Sequence, residues 1–218
     1  MKIHIMGASC AGSTTLGKAL AERLNYTYLD TDAYYFVPSA IPYSVKRATE
    51  ERIAMIKADF DAHDDVIVGG SLVSWGDDWY AQFDLVVFLY IPHHVRMQRL
   101  HKRELERYGD RIFTDPYRAA QYRQFTAWAN GYDDNSTNGR NLGVHLDWLS
   151  KVNCPVLKIE GDTTVEERIE KVIREIRLAD YKNSPYVEAF VKMIIEAEEN
   201  KNYTEVDPNN IWKSLNIE

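Results

Sequence analysis

What this chain has little of narrows its reading first. It holds two cysteines, Cys10 and Cys154, with neither a CxxC pair nor metal-ligand spacing, a usage that suits a reducing cytoplasm. Its six histidines show no metal spacing either. No run approaches the roughly 18 apolar residues of a membrane span. The N-terminus reads as a strand without a basic secretory leader, so a cytoplasmic location away from membranes is expected. An excess of positive charge is also missing: 26 Lys and Arg face 33 Asp and Glu, for a net charge of −7. That balance argues against a nonspecific nucleic-acid or anionic-membrane surface, while leaving room for a local basic cleft. No Asn-Lys-x-Asp segment is present to read guanine, which disfavours a GTP switch.

What is present suits one α/β core with residues left for a lid or tail: 218 residues, 45% of them hydrophobic and 27% charged. The organising stretch is Gly7, Ala8, Ser9, Cys10, Ala11, Gly12, Ser13, Thr14, Thr15. It follows the apolar run Ile3 to Met6 and leads into a helical pattern at Leu16, Ala19, Leu20 and Leu24. A glycine-rich turn between strand and helix directs backbone N–H groups inward and adds the positive end of the helix dipole, as phosphate binding requires. The spacing matches G-x-x-x-x-G-K-[ST] at every fixed position except one, where Ser13 replaces the lysine. Thr14 holds the hydroxyl position that ligates Mg²⁺. Cys10 reads as a small residue tolerated in the turn.

A second strand, Tyr26 to Leu29, ends in Asp30-Thr31-Asp32. Carboxylates at the C-terminal edge of a parallel sheet lie where such folds bind ligands, and an acid there accepts the proton of an attacking group. Capping of the next turn is the alternative: it is weighed equally for Asp30, and the functional reading is preferred for Asp32. An aromatic loop, Tyr34 to Phe36 with Pro38 and Pro42, precedes a helix predicted to carry Val45, Ala48, Ile53, Ile56 and Phe60 on one face. The third strand, Asp65 to Val68, stops at Gly69-Gly70-Ser71, where backbone can approach a ligand closely. Trp75 and Trp79 read as core more readily than as pocket wall. The fourth strand, Asp84 to Ile91, leads into a helix with Arg96, Arg99, Arg103 and Arg107 along one side. Such a row is either a solvated face or a phosphate clamp. Helices at Tyr117 to Trp128 and Leu142 to Leu149 follow, with Arg140 positioned to return to the phosphates and His145 read as structural. A fifth strand, Pro155 to Ile159, precedes Gly161-Asp162 and a last core helix with Ile169, Val172 and Ile173 inward. Beyond Asp180 comes an amphipathic helix at Val187, Phe190, Val191, Ile194 and Ile195, then an apolar cluster at Ile211, Trp212 and Leu215.

Residues 2 to about 178 resemble the adenylate-kinase-related P-loop kinases of nucleosides and small metabolites. The resemblance rests on the Gly7–Thr15 loop, Leu29-Asp30-Thr31-Asp32, Gly69-Gly70-Ser71, the Arg96-to-Arg107 helix and Gly161-Asp162. Within that group the chain looks most like bacterial adenylate-kinase-like ATPases of unassigned substrate. The resemblance implies a three-layer α/β fold with a five-stranded parallel sheet in the order 2-3-1-4-5. It also implies a kinase-like domain at 1–180 with a helical lid at about 101–150, and a C-terminal helical extension at 181–218. ATP and Mg²⁺ are the implied ligands, on Gly7 to Thr15 with Thr14 on the metal. The acceptor belongs beside Asp30, Asp32, Gly70 and Ser71, and Asp32, Arg103 and Arg140 are the implied catalytic set. The departure is Ser13, which supplies no cation, and Lys18 is too far around the helix to replace it obviously. Two activities follow: phosphoryl transfer from ATP to a small acceptor, or a nucleotide-binding sensor that meets a protein partner or a second copy through its tail.

Overall fold

Five short apolar segments form the strands: β1 (Lys2–Gly7), β2 (Thr27–Asp30), β3 (Val66–Gly69), β4 (Leu85–Tyr90) and β5 (Val156–Glu160). The computed structural model describes residues 1–39, 41–182 and 188–200. All neighbouring strands pair in parallel in the order β2-β3-β1-β4-β5, the architecture expected of the sequence. Parallel pairing requires crossovers, and helices supply them. The crossovers hold α1 (Ser13–Leu24), α2 (Thr31–Tyr35), α3 (Thr49–Asp61), a short 3-10 helix (Asp77–Ala81), α4 (His93–Tyr108), α5 (Arg111–Thr114), α6 (Pro116–Asn130) and α7 (Leu142–Leu149), and α8 (Val165–Lys182) follows the last strand. A further helix, α9 (Glu188–Asn200), is described within the expected extension.

The register decides where the site lies. Gly7 pairs with Leu89, and Asp30 pairs with Gly69, so the loop, the acid segment and the Gly70-Ser71 turn leave the sheet at one edge. Strand residues Ile3, Ile5, Val66, Ile67, Val86 and Val87 are fully or almost fully buried, as a sheet covered on both faces demands. Trp75 and Trp79 belong to the core with Phe60 and Phe83. The helix predicted from Val45 starts only at Thr49. Before it, Val37 N–H donates to Val45 O (2.9 Å) and Arg47 N–H to Tyr35 O (2.8 Å), so this stretch pairs as a short antiparallel ribbon.

The chain separates into two units, Met1–Ile169 and Glu170–Glu218. Among the described residues no helix is long and apolar enough to cross a membrane. Val187 and the cluster expected at Ile211, Trp212 and Leu215 lie outside the described residues, as do the side chains of Phe190 and Val191.

One polar residue is buried within the central strand. His4 is fully buried between Phe83 and Trp148, and its Nδ1 donates to Val68 O at 3.0 Å. Burial pushes its pKa down to about 4 against the opposing pull of that hydrogen bond. The unfolded chain takes up this proton near pH ~6.5. Between those values the unfolded state binds more protons, so stability is complete above about pH 6.5 and falls as the pH drops, by roughly 3 kcal/mol from His4 alone. Melting curves across this window are expected to fall less steeply in His4→Gln than in the wild-type chain, the decline that remains coming from the buried His145.

Candidate functional site

The loop between β1 and α1 begins with a turn in which Ala11 N–H donates to Ala8 O at 3.0 Å. Gly12 follows at φ 97°, a left-handed conformation that favours glycine. The first helical bond is Leu16 N–H to Gly12 O at 2.9 Å, and no side chain caps the helix. The amides of Ser13, Thr14 and Thr15 therefore have no partner within α1, which is the condition for receiving an anion. Those residues line a cavity of about 1150 Å³ at the edge where the strands end.

Two arginines that also line the cavity hold the loop. Arg168, 3% exposed at the start of α8, donates from Nη1 to Ala11 O at 3.0 Å and from Nε to Thr163 Oγ1 at 3.0 Å. Arg99 donates to Cys10 O and Ala11 O at 3.4 and 3.5 Å and pairs with Asp162. Burial, then the charge of Arg99, pulls the Arg168 pKa down, yet a guanidinium keeps its proton in proteins. Two guanidiniums thus stand against the loop whose own cation is missing. Arg99 stood in the arginine row of the sequence. Arg168 was missed; its signal was an arginine one residue before Ile169, on an apolar helix face.

The cavity gathers the expected site residues. Gly7, Ala8, Ser9, Cys10, Gly12, Ser13, Thr14 and Thr15 line it, as do Asp30, Asp32, Gly70, Ser71, Arg103 and Arg140. Ala11 does not: it is buried, and its peptide is engaged by Ala8 and the two arginines. Lys18, set aside on helical geometry, also lines the cavity. Arg96 leaves the arginine row, because it is buried against Ile91 O and Asp133.

Asp30 both lines the cavity and caps α2, accepting from Asp32 N at 3.0 Å. This fixes the backbone that carries Asp32. The Asp32 side chain has open surface toward the cavity, while the protein mass around it desolvates it and raises its pKa above the ordinary carboxylate value. Arg140 opposes that rise, Asp30 adds to it, and Arg103 and Arg107 oppose it more weakly.

Around the same cavity, guanidiniums lie over aromatic rings: Arg103 over Phe125 (5.4 Å), Arg107 over Tyr43 (5.2 Å), Arg118 over Tyr108 (4.3 Å) and Arg140 over Trp128 (5.3 Å). All eight residues line the cavity. Among the described residues, Arg107, Arg118 and Arg140 have no carboxylate within ion-pair distance. Stacking holds such groups in place without neutralising them, so this wall suits an anionic ligand.

The profile of a family described as AAA domain matches residues 3–124, more than half of the chain. The chain belongs to this AAA domain family. It is 40% identical over 171 residues to the Bacillus subtilis (strain 168) protein called "Uncharacterized protein YqaC", covering 78% of this chain and 94% of that one. It is also 33% identical over 107 residues to a shikimate kinase of Thermosynechococcus vestitus, covering 45% of this chain and 58% of that enzyme. Among solved structures, a shikimate kinase from Bacteroides thetaiotaomicron shares the fold, with a TM-score of 0.51 and 18% identity over 81% of this chain and 98% of that one. This places the AAA domain chain among P-loop kinase folds, in accord with the resemblance at that level, and does not single out adenylate kinases.

Proposed function

We propose that this AAA domain protein is a small-molecule kinase that moves the γ-phosphoryl group of ATP to an acceptor held beside Asp32 and Ser71. The supporting observation is one cavity in which an uncapped helix N-terminus, a desolvated carboxylate and stacked, unpaired arginines face one another. The free amides of Ser13, Thr14 and Thr15 at the start of α1 would hold the phosphates, and the Thr14 hydroxyl would ligate Mg²⁺. That ion supplies charge neutralisation across the β- and γ-phosphates. Asp32 takes the proton of the acceptor hydroxyl as its oxygen bonds to phosphorus and the bond to the β-phosphate oxygen breaks, leaving ADP. A raised pKa makes this carboxylate a stronger base than an ordinary aspartate.

Loss of one contact to developing charge in a preorganised site costs on the order of 3–4 kcal/mol. Arg103 and Arg140, with Arg99 and Arg168 that hold the loop and line the same cavity, offset that loss. We assign the closing movement to the proposed lid at about 101–150. Its last helix, α7, buries His145 and Trp148, so the moving part is the end of α4 through α6.

The test is calorimetric titration with ATP, with and without Mg²⁺, followed by product analysis with shikimate and nucleoside monophosphates as acceptors. Mg²⁺-dependent binding with ADP and a phosphorylated acceptor is expected. Absence of ATP binding would overturn the reading. Binding without transfer to any acceptor, or to water, would overturn its catalytic half.

A further inference from the structure

Ser71, His145 and Tyr132 form a buried hydrogen-bonded line whose polarity the reading above leaves unused. Ser71 Oγ lies 3.2 Å from His145 Nε2, and His145 Nδ1 lies 2.8 Å from the Tyr132 hydroxyl. All three residues are at least nine-tenths buried. They come from separate places: Ser71 follows β3, Tyr132 follows α6, and His145 sits in α7.

The direction of the line follows from donor counting. Burial, then the nearby charge of Arg140, pushes the His145 pKa down to about 3, so the ring is neutral and carries one N–H. Among the described residues His145 is the hydrogen-bond partner of the Tyr132 hydroxyl. A buried phenol with one such partner satisfies its proton by donating it. Nδ1 therefore accepts, Nε2 carries the proton, and Nε2–H donates to Ser71 Oγ. Val73 N–H also points at Ser71 Oγ, at 3.4 Å. With its oxygen receiving from both sides, Ser71 must send its own proton elsewhere, and the cavity that it lines beside Gly70 is open to it.

We infer that Tyr132 and His145 are positioning residues that lock Ser71 as a hydrogen-bond donor into the cavity, aimed at an anionic oxygen of the acceptor. The lock is a property of the folded chain; its use on an acceptor rests on the kinase reading.

The experiment uses the full chain labelled with ¹⁵N-histidine, read near neutral pH by long-range proton–nitrogen correlation. His145 is expected as the Nε2–H tautomer in the wild type and in Ser71→Ala, and as a mixture or the Nδ1–H form in Tyr132→Phe. An Nδ1–H or cationic ring in the wild type would overturn the lock. So would an unchanged tautomer in Tyr132→Phe, or a lost one in Ser71→Ala. Melting temperatures verify that the variants fold. Inorganic phosphate is then titrated onto the protein loaded with ADP and Mg²⁺. Its Kd is expected to rise by about tenfold or more in Ser71→Ala and in Tyr132→Phe alike. Equal affinity in all three proteins, or no phosphate binding to the wild type, would overturn the oxyanion role. Failure of ADP itself to bind would count against the kinase reading, and the tautomer results would still decide the lock.

Discussion

Asp32→Asn is expected to slow phosphoryl transfer by about two to four orders of magnitude while leaving ATP affinity within about twofold. The amide matches the carboxylate in size, and the backbone at position 32 is held by the Asp30 side chain, so the local fold survives the change. What disappears is the ability to take a proton. Desolvation makes this effect large, because the raised pKa of Asp32 brings it closer to the range where a carboxylate is an effective base. Steady-state kinetics with the acceptor identified by product analysis, together with calorimetry, separate the two quantities. An unchanged kcat would remove Asp32 from the mechanism.

Gly7→Ala is expected to weaken ATP binding by about a hundredfold, a loss of roughly 3 kcal/mol. A Cβ at this position would lie 2.6 Å from Leu89 O, 3.1 Å from Ala11 Cβ and 3.2 Å from Leu89 Cβ. The nearest of these is backbone of β4, which pairs with Gly7 in the sheet and cannot give way cheaply. Relief must come from the loop itself, which moves away from the geometry its amides need. Overpacking of this kind costs about 1–3 kcal/mol, so the melting temperature should fall as well. Calorimetric Kd and thermal denaturation on the same preparation check both. Wild-type affinity in this variant would mean that the phosphates do not sit on this loop.

The sheet was legible because buried parallel strands appear as short apolar runs, and the loop because its glycine spacing is local. Strand order came from the resemblance, since no apolar run states its neighbour. Helical periodicity misled at Val45, where pairing of Phe36 with Lys46 prevails over spacing, while Ala48 stands at the N-cap of α3. Asp30 was weighed between capping and ligand contact; it caps α2 and also borders the cavity. The arginine row concealed a division of labour, because Arg96 is claimed by Asp133, far along the chain. Tyr132 and His145 reach Ser71 only through tertiary packing, a relation that no local pattern carries. Arg168 was hidden for the same reason: its partner Ala11 is 157 residues away in sequence.

The guanidinium of Arg140 rests over the indole of Trp128 at 5.3 Å, on the cavity wall. Trp75, Trp79 and Trp148 are buried in the core, so Trp128 is the one tryptophan among the described residues that meets this wall. A charge held over an indole alters the energy of its excited state. Any ligand that draws Arg140 away changes the colour and yield of Trp128 emission. The chain thus carries a built-in optical gauge at its own cavity, and occupancy can be followed in real time without attaching a dye.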